Sequence, residues 1–238
     1  VEGLEHELEA PHIAGREPFK KPHANVCNLA TLYPQYFQVV VRADAGVNSV
    51  KDLKGKALAV QPRGNTAEEI TRQILQVNGL TYKDIRASFL SYSDAVTQVQ
   101  DGHAVGATFG TTIPSGAVMD LASAREIKVL DLAGDLAAMR KLNPGYTLNT
   151  IPKGVYPKQN TDVQVIGYAT HLVVSCKLDP NTVYGMTRAV SQNTKQLSTI
   201  VKDIARLTPK GMAEDIGVPF HPGAARFYKE AGITVQAR

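Results

Sequence analysis

The chain has no tryptophan, only two cysteines, and no apolar run approaching the roughly 18–20 residues that a membrane-spanning helix needs. Cys27 and Cys176 fit no metal spacing, and each reads as a small buried hydrophobe rather than as half of a disulfide. The six histidines, at positions 6, 12, 23, 103, 171 and 221, include no H-x-x-x-H pair, which argues against a zinc site. No serine sits in a G-x-S-x-G elbow, and neither G-x-x-x-x-G-K-[ST] nor G-x-G-x-x-G occurs. Those absences argue against an enzyme and against a nucleotide cofactor; no metal and no cofactor is expected. Basic residues are scattered and never interleave with aromatics, so nucleic acid is a poor partner. The opening segment VEGLEHELEAPH is acidic and lacks the charged and apolar regions of a signal peptide. It opens on Val rather than Met, as a processed or partial chain does.

What is present is ordinary for a soluble protein: 43% hydrophobic and 20% charged residues in a chain of 238, enough for one large domain or two small ones. The net charge of +4 leans slightly toward acidic small molecules. Residues 1–25 read as a loop. CNLATLY and FQVVVRAD read as two strands, the second a continuous β-branched run of the buried kind. SVKDLKGK reads as a helical turn and Ala57–Gln61 as the next strand. A helix then opens at Asn65 or Thr66 with Glu68 or Glu69 completing a capping box, and closes at Gly79.

Further along, ASFLSY is a strand, and SDAVTQVQDG a helix capped by Ser93. AVGATFG is a strand, and IPSGAVMDLASA a helix with Pro114 in its first turn. IKVLDL is a strand, LAAMRKLN a helix and VQVIGYATHLVVSC a long strand. The segment from Asp179 to Ile204 reads as the longest helix, and HPGAARFYKEAG as a last short one. Strands alternating with helices predict an α/β fold with mostly parallel sheets, whose ligands sit beyond the carboxyl ends of strands.

Two polar turns have that position. The first, Gln61–Thr66, offers backbone N–H groups around Gly64, the side chains of Asn65 and Thr66, and the charge of Arg63; together they form a generic anion seat at a helix start. The second, FGTTIPSG, offers the hydroxyls of Thr111, Thr112 and Ser115 beside another helix start, with Phe109 as an apolar wall. Each turn alone also fits a plain strand-to-helix connection. Tyr33 and Tyr36, flanking Pro34, are placed at the mouth of a cleft or in local packing. His171 and His221 read as structural.

Three blocks carry a resemblance. NLATLYPQYFQVVVRADAGVNSVKDLKGKALAVQPRGNTAEEITRQILQVNGLTYKDI, DAVTQVQDGHAVGATFGTTIPSGAVMDLA and GVPFHPGAARFYKEAGI occur in the order found in TRAP-associated extracytoplasmic immunogenic (TAXI) solute-binding proteins. The similarity runs from about Phe19 to Ile233. It implies a type II periplasmic-binding-protein fold: two α/β lobes joined by hinge strands Phe37–Asp44 and Gln164–Ser175. Residues 46–163 would form the second lobe, and residues 1–45 with 164–238 the first. It also implies a periplasmic receptor that hands a small carboxylate, an acidic amino acid or dicarboxylate-like acid, to a TRAP permease in the inner membrane. The family's ligand loops correspond to Gln61–Glu68 and Phe109–Gly116. Family members begin with a glycine-rich strand-turn-helix and a second βα unit that Val1–Asn25 does not match. The first lobe is therefore expected to be incomplete here, and a separate N-terminal segment is one way of completing it. The competing expectation is a sensing or protein-binding module on the same fold, without transport.

Overall fold

The computed structural model describes Lys21 and residues 23–238, so most of the loop expected at residues 1–25 lies outside the described residues. A 17-residue strand, β1 (Val26–Arg42), comes first. It joins the two strands expected separately on either side of Pro34, because that residue is exposed and its φ of about −65° suits extended backbone. Next come β2 (Ala57–Val60), α1 (Thr66–Val77), β3 (Arg86–Phe89), α2 (Tyr92–Gln100), β4 (Gly106–Thr111), α3 (Gly116–Ala124) and β5 (Ile127–Val129). The chain continues through α4 (Leu136–Leu142), β6 (Thr147–Ile151), the long β7 (Val163–Ser175), α5 (Pro180–Gln192), α6 (Thr194–Leu197), α7 (Pro209–Met212) and α8 (Pro222–Glu230).

The α/β class expected from the sequence is what the structure shows, but the sheet is mixed rather than mostly parallel. Its order is β3-β2-β4-β1-β7-β6, with β5 also on β1. β2 pairs in parallel with β3 and with β4; β1 runs antiparallel to β4 and β5, and β6 antiparallel to β7.

The chain divides into two compact units. One comprises Gln35–Leu142 and Tyr146–Tyr168. The central strands of its sheet, β1 beyond Tyr36, β2 and most of β4, are buried on both faces, which explains their unbroken apolar runs. Phe37, Val39, Val41, Leu58 and Val60 pack toward Ile70 and Ile74 of α1. The alternate residues Val40, Ala59, Ala107 and Phe109 pack toward Val96, Val99, Val118 and Leu121 of α2 and α3. The period of two along each strand thus assigns each side chain to one helical layer.

The other unit comprises Val1–Pro34, Asn143–Gly145 and Ala169–Arg238. Its core gathers Leu29 and Ala30 of β1 with Val183, Met212, Phe220, Ala224 and Tyr228. Gly223 lets α8 touch α5: a Cβ there would lie 2.2 Å from the Pro180 carbonyl oxygen. Cys27 and Cys176 form a disulfide with Cα atoms 5.1 Å apart, which corrects the expectation of two separate buried thiols. The two long strands bring together side chains 149 positions apart, a juxtaposition that spacing in the sequence does not encode.

Four helix boundaries also differ from expectation. The helix expected from Asp179 to Ile204 stops at Gln192, where the Asn193 side-chain amide donates to the Ala189 carbonyl at 2.7 Å and the backbone leaves the helical region. Helix α2 is capped by Ser91, whose Oγ accepts from the Asp94 amide, and not by Ser93. Pro114 precedes α3, follows a cis peptide bond, and is separated from the helix by extended Ser115. The capping box at α1 is absent as well, for reasons visible at the site itself.

Candidate functional site

The turn after β2 begins at buried Gln61, whose Nε2 donates to the Thr108 carbonyl of β4 at 3.2 Å. Pro62 to Thr66 are then exposed. Gly64 takes φ +85°, a conformation open to glycine, and the Asn65 amide closes the turn on the Pro62 carbonyl at 3.1 Å. Asn65 is the N-cap of α1: its Oδ1 accepts from the Ala67 amide at 2.8 Å. The glutamates that would complete a capping box are engaged elsewhere. Glu69 binds Arg72 at 2.6 Å and Gln73 at 2.8 Å, and Glu68 accepts from the Tyr82 hydroxyl at 3.0 Å. The amides of Gly64 and Thr66 donate to no described residue, so this helix start presents unspent N–H groups.

The second turn follows β4, the parallel neighbour of β2. Thr108 ties the two together below the surface, its Oγ1 2.9 Å from that of Thr71 on α1. Gly110 ties them at the surface. A Cβ on Gly110 would lie 2.9 Å from Ala67 Cβ, in the first turn of α1, and 2.6 Å from the Tyr168 hydroxyl. From another side, the Tyr92 hydroxyl donates to the Gly110 carbonyl at 2.9 Å and accepts from its amide at 3.0 Å. The two turns are therefore adjacent at the carboxyl ends of adjacent parallel strands. Thr111 and Thr112 are half-buried, and neither hydroxyl is tied to a described residue. Ser115 leaves α3 without a side-chain cap; its amide donates to Tyr156, whose hydroxyl donates to Gln38 at 2.6 Å.

The residues expected at the site separate into three groups. Gly64, Asn65, Thr66, Thr111 and Thr112 lie on the two adjoining turns, and half-buried Tyr36 stands opposite Thr111 in the β1–β4 register. Arg63 is exposed, but its guanidinium lies 4.3 Å from the Phe89 ring centroid and 5.9 Å from that of Tyr82, which directs it to the β3 side. Phe109 is fully buried against Tyr92, ring centroids 5.3 Å apart, so it has no surface to present as a wall. Tyr33 belongs to the other compact unit.

Sequence reasoning included Gly110 only as part of the second turn and did not bring Tyr92 or Tyr168 to it. A glycine at the end of β4 was a readable signal; the tyrosines stand alone in their segments and meet Gly110 only in the fold. Burial pushes both phenols up, Tyr168 further than Tyr92, with the neighbouring Tyr92 and Tyr146 adding to the effect on Tyr168. Both phenols keep their protons at neutral pH, and that of Tyr92 donates to the Gly110 carbonyl. Among the described residues no three His, Cys, Asp or Glu side chains gather as a metal site. No helix among them is long and apolar enough to cross a membrane.

The chain belongs to the NMT1-like family, whose pattern it matches over residues 5–232. It is similar to the periplasmic aliphatic sulphonate binding protein SsuA from Escherichia coli, at 15% identity and a TM-score of 0.48, over 86% of this chain and 59% of that one. The alkanesulfonate-binding protein SsuA from Xanthomonas axonopodis pv. citri, bound to MOPS, gives 16% identity and a TM-score of 0.42 over 87% and 60%. The P235GK mutant of ArgBP from T. maritima gives 16% and 0.40 over 74% and 59%. The chain thus spans about three fifths of the length of these structures.

Proposed function

We propose that this chain is a periplasmic solute receptor of the TAXI type. It captures a small carboxylate, an acidic amino acid or dicarboxylate-like acid, and passes it to a TRAP permease in the inner membrane. On this reading one carboxylate is held by the amides around Gly64–Thr66 with the Thr66 hydroxyl, and a second polar group by Thr111 and Thr112. On the same reading the two compact units are the two lobes of a type II binding-protein fold. The observation that carries the reading is the adjacency of two donor-rich turns at the carboxyl ends of β2 and β4, held together by Gly110. A helix start favours negative charge through its unpaired amides and its dipole. Parallel strands deliver such starts to one end of a sheet.

Calorimetric titration of L-glutamate and succinate into the wild-type chain and into Thr66→Ala tests it. Loss of a charge-assisted bond is expected to weaken binding by about 1–3 kcal/mol. Equal affinities in the two proteins, or no binding to the wild type, would remove the carboxylate assignment.

A further inference from the structure

We infer that Tyr168 is a ligand-binding residue: its hydroxyl donates to an acceptor oxygen of the anionic solute held between the two turns. The inference rests on the carboxylate reading above and adds a residue that neither turn contains.

Six described tyrosines have hydroxyls held above the ordinary phenol value, with burial the largest cause for all but Tyr184, where the Glu230 hydrogen bond leads. Five of the six have an acceptor: Tyr82 on Glu68, Tyr92 on the Gly110 carbonyl, Tyr156 on Gln38, Tyr184 on Glu230, and Tyr228 on the Leu29 carbonyl. Tyr168 alone has none among the described residues, although its side chain is largely removed from water. The hydroxyl is not among the buried polar atoms left without a partner, so its oxygen is open at the surface and its donor is available to a solute.

Position supplies the second argument. The Tyr168 hydroxyl is 2.6 Å from where a Cβ on Gly110 would stand, and that same point is 2.9 Å from Ala67 in the first turn of α1. Gly110 is not in the left-handed region, so backbone conformation does not require a glycine there. The close approach does. Removing the side chain at residue 110 is what admits the phenol to the junction of the two turns. Tyr92, on the same residue, spends its hydroxyl on the Gly110 backbone and holds it in place; Tyr168 arrives with its donor unspent. A donor so placed favours a solute with an oxygen acceptor over an apolar one of equal size.

The experiment is calorimetry of L-glutamate and succinate on the full chain, with melting temperatures measured alongside, for wild type, Tyr168→Phe, Gly110→Ala and Thr66→Ala. Tyr168→Phe is expected to bind whichever probe the wild type binds about tenfold more weakly, with an unchanged melting temperature, since the hydroxyl bonds no described residue. Gly110→Ala is expected to weaken binding also, by pushing the phenol away. Unchanged affinity in Tyr168→Phe overturns the inference, and a loss in Thr66→Ala in the same series leaves the carboxylate reading standing. If the wild type binds neither probe, both fall together.

Discussion

Replacing Cys27 and Cys176 by alanine opens a loop of 149 residues whose ends the native fold holds 5.1 Å apart at Cα. In the chain-entropy treatment, closing a loop of that length removes about 5 kcal/mol of freedom from the fully unfolded chain at 25 °C. The bond lies within the unit built from both ends of the chain, while the other unit occupies the middle of the loop. If that middle unit stays folded with β1 and β7 paired, the freed chain is only about eight residues on each strand, from Cys27 to Pro34 and from Ala169 to Cys176. The same treatment then gives about 3 kcal/mol. Either figure is a large part of the 5–15 kcal/mol typical of whole domains. Urea unfolding followed by circular dichroism separates the cases. Concerted unfolding predicts one transition shifted by about 5 kcal/mol, and independent units predict two transitions with only one shifted by about 3 kcal/mol. A double-alanine variant whose transitions all coincide with those of the oxidised wild type would refute the reasoning.

Two further outcomes follow from packing and burial. Gly223→Ala places a methyl 2.2 Å from the Pro180 carbonyl and 2.9 Å from the Tyr184 amide, so α5 and α8 must separate; a loss of about 1–3 kcal/mol is expected by thermal denaturation, and an unchanged melting temperature would contradict the close packing. Burial holds His171 below the ordinary value of 6.5, so the unfolded chain binds its proton first as pH falls; the stability contribution is present above 6.5 and is lost on acidification below it. Urea midpoints at pH 7.5 and 5.5 should therefore differ more for wild type than for His171→Gln, and an equal difference would exclude the histidine as a cause.

Much of the fold was legible because local patterns and tertiary burial agree in the middle of the chain. The apolar runs at β2 and β4 and the amphipathic face of α1 each point to one outcome. The boundaries that failed were settled by competition among nearby polar groups. Ser91 and Ser93 are equivalent as caps in the sequence, and their hydroxyls lie 3.0 Å apart. Asn193 ends α5 by bonding backward within its own turn. Strand β6, TLNTI, carries little apolar signal and exists through its pairing with β7. At the site, the two turns were readable from polar residues following apolar strands. The assignments of Phe109 and Arg63 were not, since the alternation of β4 sends Phe109 into the core and Phe89 draws the guanidinium toward β3. The disulfide and the Tyr168–Gly110 contact join distant segments, and no local spacing announces either.

A crystal structure of the chain grown with succinate or L-glutamate tests the central claim most directly. A carboxylate within hydrogen-bond distance of the Gly64 and Thr66 amides, with a second polar group of the same molecule against Thr111 or Thr112, is the expected result. Solute density at any other place, with the two turns contacting only solvent, would contradict it.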